Sequence, residues 1–160
     1  MRPKVYLETS VISYLAGRPS RDVIIGARQQ LTQEWWDHGR SSFELFVSES
    51  VIREISAGDT NAAVQRLQLI QGIPLVAVTS NVVVIVKALM SSKAMPQKAA
   101  EDALHIALAA TNGLDYLLTW NCKHIANATI RTTIDRILRE HNYQPPVICT
   151  PEELLGEEAP

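Results

Sequence analysis

Cysteine is nearly absent from this chain, with Cys122 and Cys149 the only two in 160 residues. They are too far apart for a metal-binding pair and too few for a disulfide framework, so both read as reduced thiols. An excess of positive charge is missing too. Lys and Arg number 15 against 17 Asp and Glu, a formal net charge of -2, which is not the balance of a protein that holds nucleic acid by its whole surface; any such binding has to be local or come with a cation. No apolar run approaches the length of a bilayer span, and the opening MRPKVYLETS lacks the apolar segment of a signal peptide, so the expectation is a cytoplasmic protein with no membrane partner. The chain has no GxGxxG and no P-loop sequence to cradle phosphates, which argues against a nucleotide-cofactor enzyme. Without HExxH or paired cysteines, a zinc site is not expected either.

What is present is an ordinary globular composition, 46% hydrophobic and 20% charged, in a chain long enough to bury roughly 70% of its unfolded surface. VYLE reads as a strand ending in an acid, and TSVISYLAG as a helix stopped by Gly17 and Pro19. SRDVIIGARQQLTQEWWDHGR predicts a longer amphipathic helix with Ser20 as N-cap and Gly39 as stop. Helical spacing puts one of Trp35 and Trp36 in the core and leaves the other partly exposed. ELFVS is a second strand, leading into the helices ESVIREISAGD and TNAAVQRLQLIQG, closed by Gly58 and Gly72. PLVAV is a third short strand. NVVVIVKALMSSKAM is β-branched enough for a strand, but its length and its place after one favour a helix.

After Pro96 comes QKAAEDALHIALAATNG, apolar on nearly every side as a covered helix would be, ended by Asn112 and Gly113. DYLLTW is a fourth strand, Ala128 to His141 a charged surface helix, and VICT a last edge strand. Thr150 and Glu153 in TPEE fit a capping box, and the acidic tail beyond it reads as frayed. Strands separated by helices imply crossovers, hence an α/β domain with a mostly parallel sheet. The reading is one domain over residues 1–150 and an acidic C-terminal tail over 151–160.

Parallel sheets concentrate function at the carboxyl ends of their strands, where strand order reverses. Glu8 closes the first strand and Asn121 the strand DYLLTW, while Asp102 begins a helix whose neighbours predict burial on most sides. Each acid has a plain alternative: Glu8 as an end-of-strand charge, Asp102 as a first-turn helix charge, Glu54 and Glu101 as solvated faces. Converging carboxylates at about 4 Å repel by roughly 1 to 4 kcal/mol. Such a cluster is relieved by a raised pKa or by a hard divalent cation, and Mg²⁺ suits carboxylates.

YLETSVISYL, SESVIREISAGD and AEDALHIALAATNGLDYLLTWNCKHIAN, in that order and at these separations, resemble the PIN domain, and more closely toxins of the VapC kind from type II toxin–antitoxin systems. The similarity runs from about Val5 to about Asn127. It implies a three-layer α/β/α sandwich and a Mg²⁺- or Mn²⁺-dependent endoribonuclease, with RNA as substrate, a cognate antitoxin as partner and a homodimer as assembly. Carried over by position, Glu8, Glu54, Asp102 and Asn121 form the catalytic set, with Glu8, Asp102 and Asn121 as metal ligands. Glu54 would coordinate or orient a water, and Asn121 would be a neutral ligand or a hydrogen-bonding brace. Thr9 and Thr119 match hydroxyls that support the carboxylates.

Two positions depart from the family pattern. Glu8 is one methylene longer than the usual Asp, and Asn121 removes a negative charge where Asp is common. That leaves a second reading, a non-catalytic PIN-like module binding RNA or protein through a degenerate acidic groove. One helical turn beyond Asp102, His105 reads as a packed or supporting histidine. Lys123 and His124 are candidates for meeting phosphate.

Overall fold

The computed structural model describes residues 1–156. Four short strands, β1 (Lys4–Leu7), β2 (Glu44–Phe46), β3 (Tyr116–Leu118) and β4 (Val147–Cys149), make one sheet. Their order is β2-β1-β3-β4, and every pairing is parallel. Helices fill the connections: α1 (Thr9–Ala16), α2 (Val23–Glu34), α3 (Glu49–Ile55), α4 (Thr60–Leu69), α5 (Ser80–Ser91), α6 (Ala100–Thr111) and α7 (Ala128–Glu140). The expected α/β architecture with a parallel sheet flanked by helices is what forms. Val5, Tyr6 and Leu7 are completely buried, because a central parallel strand has neighbours on both edges and helices on both faces. The chain leaves β1 toward β2 on one side and later returns to pair β3 on the other. The switch point therefore lies at the carboxyl ends of β1 and β3.

The connecting helices pack in two groups, α1 against α2, α3 and α4, and α5 against α6 and α7. NVVVIVKALMS is helical, with Val82, Ile85 and Leu89 buried and Val83 and Val84 left in solvent. That spacing of three and four residues is a helical stripe, and a strand would have buried alternate residues. On α6, Ala103, Ile106, Ala107, Ala109 and Ala110 are all buried, so the helix is covered nearly all round as its composition requires.

Three expectations are corrected. PLVAV does not form a strand of its own: Val47 and Leu75 make an isolated parallel bridge, and Val76 N–H donates to the Val47 carbonyl at 2.8 Å. The segment is apolar enough, but beyond one bridge it has no continuing partner, and a strand is defined by its partner. The cap of α2 is Asp22, whose carboxylate accepts from Ile25 N–H, while Ser20 Oγ accepts from Asp22 N–H. Trp35 and Trp36 are both buried, at 0% and 7% exposure. Here the helix widens into a π-helical segment, Trp35–Gly39, and the extra residue per turn rotates both indoles inward. Gly39 is needed at its end, since a Cβ there would stand 2.7 Å from Trp35 Cδ1.

The capping box at Thr150 and Glu153 forms as expected and opens a 3-10 turn, Pro151–Leu154. Pro151 is buried, and Leu154 and Leu155 pack on the core. Residues 157–160 of the acidic tail lie outside the described residues.

Candidate functional site at the carboxyl edge of the sheet

Glu8 leaves β1 at its carboxyl end and continues the ladder by one bond, its N–H donating to Leu118 O at 3.0 Å. Its side chain is only 5% exposed. Thr119 Oγ1 donates to Glu8 Oε1 at 2.6 Å, and Ser10 Oγ donates to the same oxygen. Glu8 Oε2 has no hydrogen-bond donor among the described residues. Ser10 Oγ also accepts from Trp120 N–H at 2.8 Å, and Thr119 Oγ1 from Asn121 N–H at 2.9 Å. Two hydroxyls thus join the ends of β1 and β3 around one carboxylate. Ser10 escaped the sequence reading, although its place two residues after Glu8 was the available signal.

Asp102 stands in the first turn of α6, half-buried. Asn121 Nδ2 donates to Asp102 Oδ1 at 2.9 Å, and Asn121 Oδ1 accepts from His124 N–H at 3.0 Å. Asn121 therefore braces Asp102 and shapes the turn after β3. Burial raises the Asp102 pKa above the ordinary range, the charges of Glu8 and Glu54 add to that, and His124 and His105 oppose it.

Glu54 comes from the last turn of α3, with Oε1 2.6 Å from His105 Nε2. Burial pushes its pKa up. The hydrogen bond and charge of His105, with Thr9 and Arg53, more than reverse this and hold the carboxyl below its ordinary value. Thr9 Oγ1 is buried without a partner of hydrogen-bonding geometry, yet it faces Glu54 closely enough to favour the ionised form. His105, 1% exposed, is pulled down by burial, but Glu54, Glu8 and Asp102 together raise its pKa.

The structure thus brings Glu8, Glu54, Asp102, Asn121, Thr9, Thr119 and His105 to one edge. His124 joins them beside Asp102, while Lys123 is exposed in the same turn. Glu101 is exposed as expected, although Ser50 Oγ donates to it at 2.9 Å. Another missed feature flanks the turn. The Arg28 guanidinium lies 5.3 Å from the Trp120 ring centre and 3.9 Å from Cys122 Sγ, and among the described residues it has no carboxylate partner.

No three His, Cys, Asp or Glu side chains are gathered tightly enough to hold a metal ion among the described residues. Glu8 and Glu54 are near enough to Asp102 to add to its raised pKa, without the three forming a closed cage. A hard cation that keeps most of its waters needs only one or two carboxylates. The all-oxygen donor set fits that case, and both protein donors to Glu8 meet Oε1.

These features define a class: an α/β domain with an anionic edge built at the switch point of a parallel sheet. Residues 5–128 match the family model described as PIN domain, and the chain belongs to that family, generally a nuclease fold. No curated protein matches the chain.

Proposed function

We propose that this protein is a Mg²⁺- or Mn²⁺-dependent endoribonuclease hydrolysing RNA phosphodiester bonds. The observation that carries the reading is the gathering of Glu8, Glu54 and Asp102 at one sheet edge, where burial raises the Asp102 pKa with Glu8 and Glu54 adding to it, and the same acids raise His105. Such an edge recruits a cation. Glu8 and Asp102 would hold it, with Asn121 alongside, and when bound it supplies an activated water and offsets charge on the phosphate. Thr119 and Ser10 hold the Glu8 carboxylate in place, both hydroxyls donating to Oε1. Asn121 aims Asp102, and Glu54 accepts a proton bond from the water it orients. Lys123 and His124 meet phosphate oxygens at the rim.

The finer identity we propose is a toxin of the VapC kind, acting in the cytoplasm, pairing as a homodimer and restrained by a cognate antitoxin. Support for it is the ordered set of motifs. A neighbouring gene for a small DNA-binding protein that co-purifies with this chain is the expected finding. Incubation with mixed cellular RNA should give cleavage that requires Mg²⁺ or Mn²⁺ and disappears in Asp102→Ala. Cleavage at wild-type rate by folded Asp102→Ala refutes the assignment.

One observation favours a second reading, a non-catalytic RNA- or protein-binding module: no three-ligand group exists among the described residues. A Mn²⁺ titration separates the two. Absence of binding supports the module, and binding accompanied by RNA turnover removes it.

A further inference from the structure

Tyr6 is a buried tyrosine in the central strand, where phenylalanine would fill the same volume. A hydroxyl taken out of water at such a place is unfavourable unless it is hydrogen-bonded. Tyr6 Oη lies 2.6 Å from His105 Nδ1 and 2.8 Å from Ser48 Oγ. Ser48 caps α3, its Oγ accepting from Val51 N–H at 3.1 Å. At the other end His105 Nε2 meets Glu54 Oε1 at 2.6 Å. A continuous hydrogen-bonded chain therefore runs from the start of α3 through the core strand and α6 to the carboxylate at the end of α3.

We propose that Tyr6 and His105 are positioning residues whose task is to present Glu54 to the reaction; this rests on the nuclease reading of the site. An ionised carboxylate facing Nε2 requires a proton on that nitrogen. The neutral tautomer protonated on Nδ1 would set lone pair against lone pair. Glu54 selects the Nε2–H form, and Tyr6 accommodates it in either charge state because its hydroxyl can donate to a bare Nδ1 or accept from a protonated one. The Nε2–H···Glu54 bond thus survives in both charge states of the imidazole. Ser48 anchors the tyrosine oxygen, and the ring of Tyr6 lies 5.7 Å from that of His105, limiting its rotation. Glu54 is held at Oε1 by a buried partner, which leaves Oε2 to the site.

The test uses ¹⁵N NMR of the His105 ring in the full-length protein, together with RNA cleavage kinetics. In wild type, Nε2 is expected to carry a proton, with no neutral Nδ1–H tautomer. Tyr6→Phe keeps the ring and removes the hydroxyl, so it should fold, alter the Nδ1 resonance, and lower kcat by about 10-fold with KM for RNA within about 2-fold. His105→Gln supplies an amide donor in place of Nε2–H and should retain most of kcat, whereas His105→Leu should lose it while remaining folded. A populated Nδ1–H tautomer in wild type, or a Tyr6→Phe kcat within about 2-fold of wild type, overturns the proposal. If wild-type protein cleaves no RNA, the nuclease reading fails and the positioning role falls with it; the NMR result then still decides whether His105 presents an Nε2 proton to Glu54.

Discussion

Replacing Asp102 by asparagine in metal-free protein should make the fold more stable and abolish RNA cleavage. Ionised Asp102 is disfavoured by burial and by Glu8 and Glu54, which is why its pKa is raised. A group with a raised carboxyl pKa destabilises the folded state once it is ionised, so at pH 7 removing its charge relieves the fold. Asparagine keeps the shape and still offers Asn121 Nδ2 an oxygen in place of Asp102 Oδ1, so no hydrogen bond has to be lost. Since Asp102 is half-exposed and water screens part of the repulsion, the gain is about 1 kcal/mol. For a chain of this size that is a Tm increase of about 2 to 4 °C. Thermal unfolding followed by circular dichroism in EDTA measures it. Adding Mg²⁺ should then raise the wild-type Tm, by the equivalent of about 2.7 kcal/mol at 100 times Kd, and leave Asp102→Asn nearly unmoved. A lower Tm for Asp102→Asn in EDTA, or equal Mg²⁺ shifts in both proteins, would refute the idea that these carboxylates share one strained anionic edge.

Thr119→Val removes a buried hydroxyl that donates to Glu8 at 2.6 Å and accepts from Asn121 N–H; chemical denaturation should show a loss of about 2 to 3 kcal/mol. The Glu54–His105 pair sets a pH window. Glu54 has a depressed folded pKa, so its contribution is present above the ordinary 4.5 and is lost as pH falls through the folded value. His105 has a raised folded pKa, so its contribution is full below the ordinary 6.5 and fades as pH rises through the folded value. The stability difference between wild type and Glu54→Gln should therefore peak between pH 4.5 and 6.5, and a difference that grows steadily above that range contradicts the pairing. Arg28→Ala, tested in the Asp102→Ala background so that cleavage cannot intervene, should weaken RNA binding and flatten its salt dependence by about one ion; an unchanged slope removes Arg28 from the RNA surface. Cys122 is exposed, whereas Cys149 is buried with its thiol pushed up to about 12. A thiol reagent should accordingly modify one cysteine in the native protein and the second only on unfolding.

Features that depend on near neighbours in the chain were legible in the sequence. Apolar spacing of three and four residues marked α5 despite its valines. Gly58, Gly72 and Gly113 adopt the positive φ values that end a helix with least strain. The Thr150–Glu153 capping box was equally plain. Alternation of these elements was enough for a parallel α/β fold, and the ordered motifs pointed to Glu8, Glu54, Asp102 and Asn121. Tertiary structure decided whatever needed a partner from far along the chain. PLVAV had the composition of a strand but found only one bridge, and the π-helical turn buried a second tryptophan where regular helical spacing would expose it. The contacts that hold Glu8 to Thr119 and Tyr6 to His105 join residues 111 and 99 positions apart. Periodicity reports which face of an element is apolar, whereas a hydrogen bond needs two atoms within a few tenths of an ångström. Only the packed register of β1, β3 and α6 fixes that.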